Sequence, residues 1–138
     1  MNAALRITLA TLAALPAIAA AQVSISEVRI VPDPSLPVDA RRSCIDRVNT
    51  LHDRRSLLDE EKLFIDRENE SLAIAGQRLA DELRSLNNAD TNAVAAYNAR
   101  SDEHNRRVEA QNRRVSQLNS RVASFNADAS DAMRFCRS

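Results

Sequence analysis

Residues between positions 44 and 136, apolar at all but one place, recur at seven-residue intervals in two separate series. The first is Cys44, Leu51, Leu58, Ile65, Leu72, Leu79 and Leu86, and the second is Val94, Ser101, Val108, Val115, Val122, Ala129 and Cys136. A repeat of this period lays one apolar stripe along an α-helix and winds it left-handedly on a partner. Between the two series, Asn87-Asn88-Ala89-Asp90-Thr91-Asn92 gathers residues whose short polar side chains favour turns and caps. The pattern predicts helices over 39–87 and 92–134 joined by a turn at 88–91. Asp39 is placed to cap the first helix and Asp90 or Thr91 the second. No proline follows Pro37 to interrupt either helix. The expected fold is all-α: a long antiparallel two-helix coiled-coil hairpin over 39–138.

Folding the chain at this turn so that Cys44 meets Cys136 fixes every other facing pair. Leu51 then faces Ala129, Leu58 faces Val122, Ile65 faces Val115 and Leu72 faces Val108. With the first series as d and the second as a, the g positions on one edge bring Glu82 to Arg100, Glu68 to Arg114, Glu61 to Arg121 and Arg54 to Asp128. Exposed pairs of this kind stabilise by only about 0–1 kcal/mol each, but a slipped register would lose them. On the opposite edge Asn98, Asn105, Asn112, Asn119 and Asn126 form a heptad ladder of e positions. Such a ladder is expected to hydrogen-bond along the seam edge, with the facing Asp59 and Asp66 as partners, or to offer a repeating polar face to a ligand such as a glycan. The Val-x-x-x-Asn spacing, as in Val108 to Asn112 and Val115 to Asn119, resembles heptad repeats in small exported bacterial proteins. That resemblance covers the second helix and implies no activity.

The middle of the seam is less apolar. Arg55, Lys62, Asn69 and Gly76 face Phe125, Leu118, Gln111 and His104. The long cationic side chains can lay their stems over the seam and keep their charges in water. Asn69 with Gln111 reads as an amide pair that fixes register.

The segment before the hairpin has a different character. Met1 to Arg6 carry one positive charge, Ile7 to Leu15 form a nine-residue apolar run, and Ala19-Ala20-Ala21 supply small residues ahead of Gln22. This is the pattern of a signal peptide over 1–21, cut before Gln22, and too short to span a bilayer. An extended, proline-containing arm follows over 22–38, with loosely alternating Val23, Ile25, Val28 and Ile30 and then Pro32, Pro34 and Pro37. Such an arm is expected to be disordered or to dock on a partner.

Composition adds limits. The 138 residues include one glycine, no tryptophan and 3% aromatics, and the formal net charge is zero. Balanced charge supplies no field for nucleic acid. Export to an oxidising compartment, periplasmic or extracellular, turns the lone cysteine pair into a disulfide, Cys44–Cys136. No catalytic, cofactor-binding or metal-ligating constellation stands in the sequence, and a thin hairpin has no concave pocket to build one. No cofactor and no enzymatic activity are expected. Candidate interaction residues are the outward Arg106 and Arg113, suited to an anionic envelope component, and Leu57 and Phe64, a second apolar stripe. That stripe leaves open the pairing of two hairpins into a four-helix dimer. The expected function is an exported, non-enzymatic structural or protein-interaction module. A periplasmic holdase-type chaperone and an envelope-binding protein are the alternatives.

Overall fold

The computed structural model describes residues 16–21 and 24–137. Residues 1–15 of the expected leader, and Gln22 and Val23 at its expected cleavage point, lie outside the described residues. Two long helices make up the fold: α1, Val38–Ser85, and α2, Thr91–Cys136, packed against each other as an antiparallel hairpin. At about 1.5 Å per residue each is about 70 Å long. No strand occurs among the described residues.

The helix ends differ from the sequence expectation by a residue or two, each for a local reason. α1 begins at Val38 because Pro37, with φ −52°, is the N-cap and its carbonyl accepts the Arg41 amide at 2.9 Å. Asp39 therefore lies inside the first turn, where its charge complements the helix dipole without capping. α1 stops at Ser85, not at 87, because Leu86 turns extended at ψ 126°. Asn87 is then free to build the turn: its side-chain oxygen accepts the Ala89 amide and its carbonyl accepts the Asp90 amide, both at 3.0 Å. Asp90, not Thr91, caps α2, accepting the Asn92 and Ala93 amides at 3.0 Å each. α2 runs past 134 to Cys136, where its carbonyl accepts the Asp33 amide at 2.9 Å.

The heptad register is the one the cysteines select. Cys44 and Cys136 are joined, with their Cα atoms 5.5 Å apart. Leu51, Leu58, Ile65, Leu72 and Leu79 are buried from α1, and Val108, Val115, Val122 and Ala129 from α2. The complementary α2 positions carry more of the core, because Phe125, Leu118 and Ala132 are buried there. Opposite them, Arg55 and Lys62 are only half-buried and turn their charges to Asp59 and Asp66 one helical turn along. Near the turn the seam opens, and Leu86, Val94 and Ser101 are not fully covered.

Three of the expected edge ion pairs form: Arg54–Asp128 at 2.7 Å, Arg121–Glu61 and Arg100–Glu82. The fourth is exchanged. Arg107 faces Ala75 and has no acid across from it, so it reaches one heptad along to Glu68 at 2.7 Å. Arg114, displaced from Glu68, lies over the Phe64 ring, 5.6 Å from its centroid.

The disulfide spans a sequence separation of 92 residues. Closing a loop of that length restricts the unfolded chain by about 4–5 kcal/mol. Urea unfolding of oxidised and reduced protein should differ by that amount, with helicity retained below the lower midpoint. Phe125, at 0% exposure, is the largest fully buried side chain. Phe125→Ala should cost about 3–5 kcal/mol in the same assay.

Candidate functional site

The two edges of the hairpin are closed in different ways. Ion pairs line the g edge. The e edge is occupied by the described residues that precede α1, which run in the same direction as α2 and reach the disulfide end. There Asp33 and Ser35 turn the chain into α1, with the Leu36 amide bonded to the Asp33 carbonyl at 3.1 Å. The Asp33 carboxylate accepts both the hydroxyl and the amide of Ser35, at 2.6 and 2.8 Å, and these bonds hold its pKa below the ordinary carboxylate value.

The asparagine ladder holds this segment by its backbone. The Asn126 amide group donates to the Ser24 carbonyl at 3.0 Å and accepts from the Ser26 amide at 2.9 Å. Asn112 repeats the arrangement, donating to the Ala17 carbonyl at 2.9 Å and accepting from the Ala19 amide at 2.8 Å. A carboxamide has one acceptor and two donors on adjacent atoms. It therefore fits the C=O of residue i and the N–H of residue i+2, which point the same way only in extended chain. The partners of Asn112 and Asn126 are thus main-chain groups, while Asp59 and Asp66 pair with Arg55 and Lys62 of their own helix.

The spacing has a physical basis. Fourteen helical positions separate Asn112 from Asn126, about 21 Å, and seven positions separate Ala19 from Ser26, about 23 Å if extended. Asn112 and Asn126 thus both fall in step with the chain. The Oδ1 atoms of Asn119, midway, and of Asn105 are buried and have no hydrogen-bond partner among the described residues.

Asn69 adds a contact from α1, donating to the Ala19 carbonyl at 3.2 Å. Its own oxygen accepts from Gln111 Nε2 at 3.0 Å, and the same nitrogen donates to the Ile65 carbonyl at 3.0 Å. Gln111 is 1% exposed. The expected Asn69–Gln111 pair therefore forms, and it also aims the Asn69 donor out of the seam. Val28 is buried in the core cluster, with Ala19, Ala21, Ile25 and Ile30 packed against it, while Glu27 and Arg29 pair on the outer side at 2.7 Å.

The other candidate residues are dispersed. Arg106 is exposed and bonded to Glu103 at 2.7 Å, which raises its pKa, and Arg113 is exposed. Leu57 and Phe64 are 67% and 54% exposed. A depression lined by Asp46, Arg47, Arg54, Asp128 and Asp131, about 410 Å³, is open to solvent. Among the described residues no three His, Cys, Asp or Glu side chains converge as a metal site, and no helix is long and apolar enough to cross a membrane. His104, 6% exposed, has its pKa lowered by burial and then by the charge of Arg107. Compared with family models, curated proteins and solved structures, the chain matches none.

The asparagines were visible in the sequence as a ladder. Their partner was not: the alternating stretch from Val23 to Ile30 signalled extended chain near Asn126, but the alanine-rich 17–21 gave no such signal near Asn112. Asn126→Ala removes both bonds to the arm, about 1–2 kcal/mol of local stability. Hydrogen exchange at the Ser26 amide should accelerate about tenfold, with α1 and α2 protection unchanged. Burial of His104 couples stability to pH. The unfolded chain takes up its proton near pH 6.5, before the folded protein does. Stability should therefore be complete above about pH 6.5 and decline as pH falls from there toward the lowered folded value. Urea midpoints across this range should show the decline, and His104→Asn should flatten it.

Proposed function

We propose that the protein is an exported, non-enzymatic protein-interaction rod, made from a disulfide-stapled hairpin whose asparagine edge grips extended backbone. The observation that carries this reading is the repeated two-bond clamp at Asn112 and Asn126, which engages main-chain groups and ignores side-chain identity. Length and stapling suit a rod to work as a spacer or adaptor. The disulfide fits an oxidising compartment outside the cytoplasm, and the first 21 residues have the pattern of a leader cut on export.

The backbone clamp also favours a second reading, a holdase-type chaperone, since bonds to main chain tolerate many client sequences. The envelope-binding reading draws less support, because Arg106 already shares its charge with Glu103. Self-association through Leu57 and Phe64 is compatible with either of the first two readings, given their exposure.

Expression of the full chain with its leader, followed by cell fractionation and non-reducing mass spectrometry, tests the proposal. The expected product is outside the cytoplasm, begins at Gln22, and carries Cys44 linked to Cys136 within one chain. Cytoplasmic, unprocessed protein with two free thiols would exclude it.

A further inference from the structure

Removal of the leader would have a specific consequence for the e edge. Cutting before Gln22 takes away Ala17 and Ala19, and so empties one of the two clamps. Asn112 then loses both partners and Asn69 loses its acceptor. The partners of Asn126, Ser24 and Ser26, lie beyond the cut and remain in the processed chain.

We infer that the vacated clamp at Asn112 and Asn69 binds an extended segment of another polypeptide, with small apolar side chains, running in the direction of α2. This rests on the exported-rod reading and names the partner chemistry of its open edge. Three features of the site support that occupant.

The first is that all three bonds go to main-chain groups within three consecutive residues, Ala17 to Ala19. Recognition is then of an extended backbone and excludes proline at the position of Ala19, whose N–H is required. The second is that the clamp is built from the interior. Gln111 is 1% exposed and fastened to the Ile65 carbonyl, and it holds the Asn69 oxygen so that the Asn69 nitrogen faces the incoming chain. An amide positioned in this way is set before the ligand arrives, which lowers the ordering cost of binding. The third is the surface under the segment. Ala19 and Ala21 pack against the apolar cluster, so inward positions accept methyl-sized groups. One heptad nearer the turn, the Asn105 Oδ1 has no hydrogen-bond partner among the described residues and continues the polar edge. Addition of an extended chain to a row of fixed amide groups follows the logic of strand addition to a sheet edge, with side chains in place of a strand.

The processed, exported protein, labelled with nitrogen-15, can be titrated with the blocked hexapeptide Pro-Ala-Ile-Ala-Ala-Ala, the sequence of residues 16–21. The side-chain amide resonances of Asn112 and Asn69 should shift and saturate. Asn112→Ala should weaken binding about tenfold, the loss expected for two hydrogen bonds. A peptide N-methylated at the position of Ala19 should bind more weakly by a similar factor, a control that needs no altered protein. A processed, disulfide-linked product whose Asn112 and Asn69 amides stay unmoved at millimolar peptide would overturn this inference and leave the rod reading standing. Equal binding of the N-methylated peptide would overturn it too. An unprocessed product with free thiols would remove the exported-rod reading and this inference together.

Discussion

A two-helix rod has no second layer behind it, so its single apolar seam must exclude water along its whole length. Here that seam is one side chain wide from α1, as Leu51, Leu58, Ile65, Leu72 and Leu79, and nearly two wide from α2. Phe125 and Leu118 cover the width that Arg55 and Lys62 leave open. Each edge of such a seam is a place where water could enter. On the g edge ion pairs span from helix to helix. On the e edge a length of extended chain lies as a third element, with its own Val28 side chain buried in the core cluster. Register couples these features, because a slip by one heptad would separate the cysteines, the ion pairs and the asparagines from their partners together.

The polar residues at the centre of the seam have separate roles. Gln111 and Asn69 form a buried amide pair, a device that costs stability and selects alignment. In this hairpin the same pair orients a donor toward the e edge, so a register device also prepares a binding surface. His104 fills the space opposite Gly76 and reports burial through its lowered pKa. Burial first, and then the charge of Arg107 on the α2 side, lower its pKa and favour the neutral form.

Surface chemistry narrows the ways this rod can meet a partner. Of the two outward arginines, Arg106 is partly neutralised by Glu103. Leu57 and Phe64 are exposed, and Arg114 partly covers the Phe64 ring. The asparagine edge differs from both, because its geometry is shaped to a particular ligand form, the extended backbone, and is already filled by one example of it.

The sequence by itself determined the hairpin, its register and its staple. These depend on local periodicity, and a seven-residue repeat converts directly into a helix face, so the facing residues could be counted from the turn. The ion pairs at Arg54, Glu61 and Glu82 followed from the same counting. What only the tertiary structure decided is where flexible or irregular chain goes. Arg107 reaches Glu68 and not a residue directly across, because a long side chain can choose between heptads. Asn87 belongs to the turn and Pro37 starts α1, because single bonds at the ends outweigh the periodic pattern. Above all, the asparagines grip the backbone of the preceding segment. No residue identity in that segment encodes the contact, since the bonds are made to main-chain groups that every residue but proline carries in full.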